Sequence, residues 1–462
     1  MGIPCDDLVV IQHGKKPDEP SVITVNCPDK AGLACDICRI ILEFGLCISR
    51  ADFSTDGRWC YIVLWIDPHP KTLKVDWESL NNRLFSACPS CLFSYYFSQE
   101  SNSSSPASVY LLKVWCIDQK GLLHDVTDVL CKRELIIQRV KVMPTPDGRA
   151  LDMFFITDGL GLLHRKQRRD DVCDHLMSVL GDCCISCELQ LAGAEFGSFQ
   201  VFSSLPSAVA EELFSCGLSD QSTSLQSLSP DLKTLKRATV AVDNSLSPVH
   251  TLLQIQCVDQ KGLCYDIMRI SKDYDIQSRT NRNFKTGNEG SKVTSSDGVL
   301  EIIFTNLVFL FSSTCEIAYA RISSSVKGCR NIDLFVQQKD GKKIVDPEDQ
   351  IKLCSCLKEE MLHPLRVIIV NRGPDTELLV ANPVELSGKG RPRVFYDVTS
   401  TLKSLGICIF LAEIGRHSTS EHQWEVYRFL LDESREFPLA SSRARTQIVD
   451  KVRRTLMGWR AD

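Results

Sequence analysis

The sequence predicts an α+β fold made of tandem βαββαβ repeats with antiparallel sheets. One strand–turn–helix segment occurs three times, and a hairpin signal and a second amphipathic helix follow it. The three copies are Val25–Leu33, Val114–Leu122 and Ile255–Leu263. In each copy an apolar strand leads into an Asp-containing turn, a glycine and the first residue of a helix. The glycine stands where a tight strand-to-helix turn requires a positive φ or a close approach of the backbone.

The composition is that of an ordinary soluble protein. A chain of 462 residues is too long for one hydrophobic core and should divide into several domains. The net charge of -5 implies no polybasic or polyacidic partner. The 22 cysteines are scattered through predicted strands and helices, and the N-terminus has no signal-peptide pattern, so we expect reduced thiols in an intracellular protein. The most apolar run, Leu300–Phe311, is too short to span a bilayer.

The first repeat is assigned to residues 21–99, after a polar lead-in at residues 1–20. Its predicted elements are strand Ser21–Asn26, a helix from Leu33, hairpin strands Ile48–Phe53 and Trp59–Ile66, helix Val75–Cys88 and strand Leu92–Phe97. The Thr55–Gly57 segment has the composition of a hairpin turn. This βαββαβ order is that of the ferredoxin-like unit.

The second repeat is assigned to residues 108–192 and has the same order of elements. They are strand Leu111–Ile117, a helix from Leu122, hairpin strands Ile136–Met143 and Arg149–Ile156, helix Asp171–Leu180 and strand Ile185–Leu191. Residues 193–249 are serine-rich, and we interpret them as an interdomain connector.

The third repeat, residues 250–371, is interrupted after its first helix. In the first two repeats the second strand begins about 15 residues past the glycine, but here the 39 residues 278–316 intervene. They are first polar and then apolar without a period, and a long structureless insert counts against their belonging to the fold. We therefore expect them to be dispensable. The later elements are strands Ile317–Ile322 and Ile332–Gln337, helix Pro347–Leu362 and strand Leu365–Val370.

The fourth repeat, residues 372–462, diverges from the others. Arg393 occupies the glycine position, and the chain ends before a clear fourth strand. The predicted elements are strand Glu377–Ala381, a helix from Val394, strand Trp424–Leu431 and helix Arg445–Leu456. Because exposed sheet edges favour closure, we expect the repeats to pair, the first with the second and the third with the fourth, or between chains.

Four such repeats with a Pro/Asp-x-x-Gly-Leu turn resemble the ACT-repeat proteins of plants, which are chains of four ACT domains without a catalytic domain. The resemblance covers the chain from Ser21 to Trp459 and is close at three of the four turns. It implies a sensor or regulatory protein, not an enzyme, that binds a free amino acid or a similar small effector. We expect no cofactor and no metal, and the ACT sheets offer a surface for a homodimer or for a partner enzyme.

The resemblance also places the ligand at the strand-to-helix turns, where one repeat faces a neighbour. The site residues that it implies are Asp29, Gly32, Leu33, Asp118, Gly121, Leu122, Asp259, Gly262 and Leu263. The N–H groups at a helix N-terminus would hold a carboxylate. Each aspartate would either meet an ammonium group or only hold the turn.

Other pairs of candidate ligands have simpler explanations. The pairs Cys35/Cys38 and Cys88/Cys91 have zinc-like spacing, but they are too far apart for a zinc ribbon, and core thiols explain them. The pair Asp273/Asp275 resembles the metal-binding pair of nucleotidyltransferases, but no Gly-Ser precedes it, and a solvated turn explains it.

Two functions of other classes compete with ligand sensing. The RNA-recognition motif shares the βαββαβ order, but its aromatic third strand is absent here and the chain is net acidic, so we expect no nucleic-acid partner. A ligand-free interaction scaffold, built from the sheet pairing of ACT domains, stays open as the alternative function. We expect a cytoplasmic protein without membrane contact, and the basic run at residues 164–169 leaves a nuclear location open.

Overall fold

The computed structural model describes most of the chain outside the predicted insert. The described residues are 8–16, 19–68, 75–89, 108–159, 161–193, 205–214, 238–270, 272, 315–324, 328–338, 341–362, 364–419, 423–432, 439 and 441–458. The chain folds into two compact units. The first unit holds residues 1–99, 222–364 and 385–388, and the second holds residues 100–221, 365–384 and 389–462.

The secondary structure alternates strands and helices along the chain. The strands are β1 (Val9–Gln12), β2 (Ser21–Pro28), β3 (Leu46–Thr55), β4 (Trp59–Pro68), β5 (Tyr110–Ile117), β6 (Leu135–Pro144), β7 (Arg149–Asp158), β8 (Cys184–Leu191), β9 (Thr239–Asp243), β10 (Thr251–Val258), β11 (Cys315–Ser324), β12 (Cys329–Gln338), β13 (Arg366–Arg372), β14 (Asp375–Pro383), β15 (Cys408–Ser418) and β16 (Gln423–Asp432). The helices are α1 (Leu33–Glu43), α2 (Trp77–Ala87), α3 (Leu122–Lys132), α4 (Lys166–Leu180), α5 (Ser207–Phe214), α6 (263–270, with Lys272 also helical), α7 (Pro347–Leu362), α8 (Val394–Ser404) and α9 (Ser442–Met457).

Each unit contains one eight-stranded sheet in which every described pair is antiparallel. The strand order is β1-β2-β4-β3-β11-β12-β10-β9 in the first unit and β13-β14-β16-β15-β6-β7-β5-β8 in the second. The predicted hairpin turns at Gly57 and Gly148 are present, and both glycines have a positive φ. The predicted α+β fold of tandem ferredoxin-like units with antiparallel sheets is therefore confirmed.

Each sheet joins two repeats that are distant in the sequence. Strand β11 of the third repeat pairs with β3 of the first, and β15 of the fourth pairs with β6 of the second. The expected pairing of the first repeat with the second is wrong, and the third repeat pairs with the fourth only through its predicted last strand. Each of these four strands lies at the edge of its own repeat, where any other such edge can satisfy its hydrogen bonds. Local sequence does not choose between these partners.

The outer strands also differ from the predicted domain boundaries. Strand β1 lies inside the predicted lead-in and pairs with β2, and β9 lies inside the predicted connector and pairs with β10. The predicted last strand of the third repeat is β13, which pairs with β14 in the second unit. The tight turn between them, closed by the Arg372–Asp375 pair, makes this local pairing easy to form. The predicted strand Leu92–Phe97 and residues 278–314 lie outside the described residues.

The core of each unit is shared by its two repeats. Alternate residues of β2, such as Ile23 and Val25, point into the core of the first unit with Ile37 of α1 and Ile267 of α6. Residues of α3 and α8 share the core of the second unit in the same way. Burial of each such side chain contributes about 1.5–3 kcal/mol, so the paired repeats stabilise one another.

Candidate functional site

The predicted turns have the backbone conformation that their sequence requires. Gly32, Gly121 and Gly262 have φ values of 76°, 83° and 78°, and each directly precedes a helix. Arg393 has a φ of 63° at the same position of the fourth repeat. A left-handed arginine is unusual, because its Cβ is crowded against its own carbonyl oxygen. The divergent fourth repeat therefore keeps the turn without the glycine.

The backbone of each turn is held by the neighbouring hairpin. The N–H groups of Asp29, Asp118 and Asp259 donate to carbonyl oxygens of the hairpin turns at 2.9, 3.0 and 2.9 Å. The leucines that open the helices are 1–4% exposed. These are Leu33, Leu122 and Leu263. The leucines therefore anchor the helices in the core.

The three predicted aspartates have different surroundings. Asp29 accepts a hydrogen bond from Thr55 Oγ1 at 2.5 Å. Asp259 forms a two-pronged ion pair with the buried Arg330, whose Nε and Nη2 both lie 2.8 Å from the carboxylate. At Asp118, burial raises the pKa of the carboxyl, and the charge of Asp432 adds to this. Asp29 and Asp259 are therefore tied to the neighbouring hairpins, whereas the surroundings of Asp118 raise the pKa of its carboxyl.

A lysine of the paired repeat crosses the glycine turn in each unit. A Cβ built on Gly32 would lie 2.7 Å from Cδ of Lys272, and one built on Gly121 would lie 2.7 Å from Cδ of Lys403. Lys272 and Lys403 each stand ten residues after the left-handed residue of their own repeat. Both donate to an aspartate in the first turn of the facing helix, Asp36 or Asp125. The two units therefore share one arrangement of turn and lysine.

The second unit has a small cavity beside its turn, with a volume of about 30 Å³. Its lining includes Asp118, Gly121 and Lys403, and also Asp152 of β7. Asp152 is 1% exposed, and neither of its carboxylate oxygens has a hydrogen-bond partner among the described residues. Burial raises the pKa of Asp152 to about 7, and Asp118 contributes to the rise. Burying a carboxylate without a donor is costly, and the raised pKa reflects this cost.

This cavity combines both signs of charge. Asp118 and Asp152 can hold an ammonium group, and Lys403 with the N-terminal turn of α3 can hold a carboxylate. The cavity itself has room for about one or two water molecules. Lys403 is 41% exposed and pairs with Asp125, so one side of the cavity is formed by a side chain that reaches solvent.

In the first unit, Lys272, the counterpart of Lys403, meets a buried carboxylate of the protein itself. Glu385, in the 385–388 segment, accepts hydrogen bonds from Arg39 Nη2 at 2.6 Å and Tyr265 Oη at 2.7 Å, and its other oxygen lies 3.1 Å from Lys272 Nζ. Burial alone would raise the pKa of Glu385, but the charges of Arg39 and Lys272 and the Tyr265 hydroxyl outweigh it and lower the pKa to about 2. Ser387 Oγ donates to Glu385 at 2.7 Å.

The cysteine and aspartate pairs that were considered as metal ligands do not form a metal site among the described residues. Within the described part of the chain, no three His, Cys, Asp or Glu side chains are grouped so that they could hold a metal. Cys35 and Cys38 are free and buried, and burial raises the pKa of both thiols. Cys91, Asp273 and Asp275 lie outside the described residues. No described helix is both long enough and apolar enough to cross a bilayer.

Comparisons with known proteins place the chain in a family. Family models match at residues 11–89 (the N-terminal part of ACT domain-containing protein ACR10), at 239–295 and 302–375 (an ACR9-like, ACT-like domain) and at 376–458 (the C-terminal part of ACT domain-containing protein ACR9). The chain is 61% identical over 459 residues to ACT domain-containing protein ACR9 of Arabidopsis thaliana, covering 99% of this chain and 100% of that protein. The chain belongs to the plant ACT-domain repeat family.

A second member of the ACT-repeat family supports the same assignment. ACT domain-containing protein ACR10 of Arabidopsis thaliana is 44% identical over 466 residues, covering 99% of this chain and 100% of that protein. The matching models are those of ACT-domain proteins, and ACT domains are regulatory domains. Among solved structures, an aspartate kinase from Synechocystis aligns at 12% identity with a TM-score of 0.14, covering 96% of this chain and 55% of that chain. So weak a likeness carries no argument.

The sequence analysis did not identify four residues as members of a site, although the sequence carries a signal for three of them. The four are Asp152, Lys272, Lys403 and Glu385. Asp152 is the one acid between Ala150 and Ile156, in a strand that is otherwise apolar, and this pattern marks it as buried. Lys272 and Lys403 share the same distance from their turns. Glu385 carries no such signal, because it lies in a loop whose next three residues are exposed.

Proposed function

We propose that the protein is a regulatory sensor that binds a free amino acid at the Gly121 turn of its second unit. The observation that carries the proposal is the unpartnered buried carboxylate of Asp152 beside Asp118 in the same cavity. An α-amino acid supplies an ammonium group for these two acids and a carboxylate for Lys403 and the first turn of α3. The predicted site residues Asp118, Gly121 and Leu122 are retained in this proposal.

The other predicted turns serve the proposal less well. Asp29 of the first turn accepts a hydrogen bond from Thr55, and Asp259 of the third turn is paired with Arg330. We therefore propose one amino-acid site per chain and assign Asp29 and Asp259 to turn stability.

The test is thermal unfolding of the whole chain in the presence of each of the twenty amino acids. At least one should stabilise the protein by about 1–3 kcal/mol at saturation, because a ligand that binds only the folded state shifts the equilibrium towards it. Asp152→Asn should abolish this shift, since an amide cannot balance the charge of an ammonium group. Asp147→Asn is the matched control, because Asp147 lies in the exposed turn of the same hairpin.

The scaffold alternative makes the opposite prediction. If none of the twenty amino acids changes the unfolding transition of the wild-type chain, the sensor proposal fails and the paired ACT sheets serve protein interaction instead.

A further inference from the structure

Glu385 enters the first unit as a single buried residue in an exposed turn. The segment 385–388 is closed by a hydrogen bond from the Gly388 N–H to the Glu385 carbonyl at 2.8 Å. Residues 386–388 are exposed, whereas the Glu385 side chain is fully buried. The turn therefore presents one carboxylate to the interior of the first unit and little else.

The groups around this carboxylate come from the helices of both paired repeats. Arg39 of α1 donates through Nε at 3.1 Å and Nη2 at 2.6 Å, and Tyr265 of α6 donates at 2.7 Å to the same oxygen. Lys272 and Ser387 donate to the second oxygen at 3.1 and 2.7 Å. Burial raises the pKa of Tyr265 well above its ordinary value, so its hydroxyl stays protonated and remains a donor.

The two units carry opposite charges at the position that faces this tyrosine. Arg39 stands seven residues after Gly32, and Asp128 stands at the same distance after Gly121. The tyrosine of the facing helix is conserved between the units as Tyr265 and Tyr396. In the second unit Asp128 interacts with Tyr396 directly and raises its pKa, in addition to the effect of burial. With arginine in place of that aspartate, the first unit gathers positive charge here. Glu43 and Asp36 meet Arg39 and Lys272 from partly exposed positions, and Glu385 is the fully buried carboxylate of the cluster.

We propose that Arg39, Tyr265 and Lys272 form a carboxylate-binding site of the first unit, and that Glu385 occupies it as a built-in ligand. A small carboxylate, whether a simple organic acid or the carboxylate of an amino acid, is the chemistry that can replace Glu385. This site differs from the Gly121 site in the charge that it recognises, because it lacks a free acid for an ammonium group among its described contacts.

The test removes the built-in ligand and supplies a soluble one. Glu385→Ala should lower the thermal unfolding temperature of the full chain, and acetate or propionate should restore several degrees more than sodium chloride at equal ionic strength. The same salts should leave the wild-type temperature nearly unchanged. Asp52→Ala is the control, because it removes an ion-paired carboxylate from the sheet surface, where Arg50 and Arg321 hold it; its unfolding temperature should not respond to acetate.

Two further measurements identify the source of the carboxylate and keep the test valid if Glu385→Ala does not fold. A larger restoration of Glu385→Ala by glycine than by acetate points to an amino acid, and an equal one to the bare carboxylate. If Glu385→Ala does not fold in chloride, its refolding yield in propionate against chloride is the readout. Restoration of Glu385→Ala by acetate no greater than by chloride overturns the proposal. So does a Glu385→Gln variant with the wild-type unfolding temperature, because the carboxylate charge would then be unnecessary.

Discussion

At the scale of single residues, two glycine turns separate the strain of a positive φ from the crowding that an added side chain causes. Gly121 and Gly148 both have a positive φ, at 83° and 75°. A Cβ on Gly121 would meet Lys403, whereas one on Gly148 would meet nothing within 4 Å. Any side chain is strained at such φ values, by about 1–2 kcal/mol. Of these two glycines, only Gly121 is placed so that a new side chain would also displace a neighbouring residue, Lys403.

We expect Gly148→Ala to cost about 1 kcal/mol from φ alone, and Gly121→Ala to cost about 1–2 kcal/mol. The difference between these two costs should disappear when Lys403 is also replaced by alanine, because the added side chain at position 121 then meets no lysine. Urea unfolding of the four variants measures this. Equal costs in both backgrounds would show that Lys403 does not rest on the turn.

The buried Asp152 makes stability depend on pH. Its pKa is raised to about 7 by burial and by Asp118, so the folded state binds its proton more tightly than the unfolded state does. Stability should therefore fall as the pH rises from about 4 to about 7. Asp152→Asn should remove most of this fall and gain about 1–3 kcal/mol at pH 8, with little change at pH 4. Chemical unfolding at both pH values checks the sign, and a loss at pH 8 would contradict it.

Glu385 has the opposite dependence on pH. Its pKa is lowered to about 2, so its contribution is complete above the ordinary glutamate value near 4.5 and is lost as the pH falls from there towards 2. The wild type should lose roughly 3 kcal/mol over this range through Glu385, and Glu385→Gln should lose correspondingly less. Unfolding measured at pH 5 and pH 3 tests the difference, and equal losses in both proteins would refute it.

At the scale of elements, the outer strands come from segments that look like linkers. Strand β1 has only four residues, yet Val9 in the strand and Leu8 directly before it are 7% and 2% exposed. Deletion of residues 1–12 should therefore lower stability by about 2–5 kcal/mol, because two core side chains and one sheet edge are lost. Deletion of residues 1–7 is the control and should change little. Thermal unfolding compares the two, and similar behaviour would mean that β1 is not part of the core.

The same elements show how far the sequence could be interpreted. The helical periodicity after Gly32, Gly121 and Gly262 and the two Asp-Gly hairpins are local signals, and they predicted the helices, the hairpins and the positive φ values correctly. Strands β1 and β9 were not recognised, because four or five residues are too few for a clear period of two. The partner of β3 lies far away in the sequence, and its choice depends on edges that all look alike.

The residues of the candidate sites divide in the same way, into those that belong to a local motif and those that only folding brings to it. Asp118, Gly121 and Leu122 were found because they belong to a repeated motif. Asp152 and Lys403 approach that motif from another strand and another repeat, so only the folded chain brings them together. Glu385 is further still from its partners, 346 residues along the chain from Arg39.

At the scale of the whole molecule, each unit takes one repeat from each half of the chain. The segments 1–221 and 222–462 each contribute to both units. Neither half should fold stably alone, because each repeat would expose the core face and the strand edge that its partner covers. The two halves, coexpressed as separate chains, should form a soluble complex with the spectrum of the intact protein. Copurification through a tag on one half tests this, and halves that each melt cooperatively alone would contradict it.

The pairing of β3 with β11 also sets a delay during synthesis. Asp52 and its partner Arg321 are 269 residues apart, so the first repeat leaves the ribosome long before the strand that completes its sheet. At about 5–20 residues per second, the edge of β3 waits for roughly 15–50 s. During that time it is a template for strands of other nascent chains, and β6 of the second repeat waits in the same way for β15. We therefore expect correct folding during synthesis to depend on how well these strand edges are kept from those of neighbouring nascent chains.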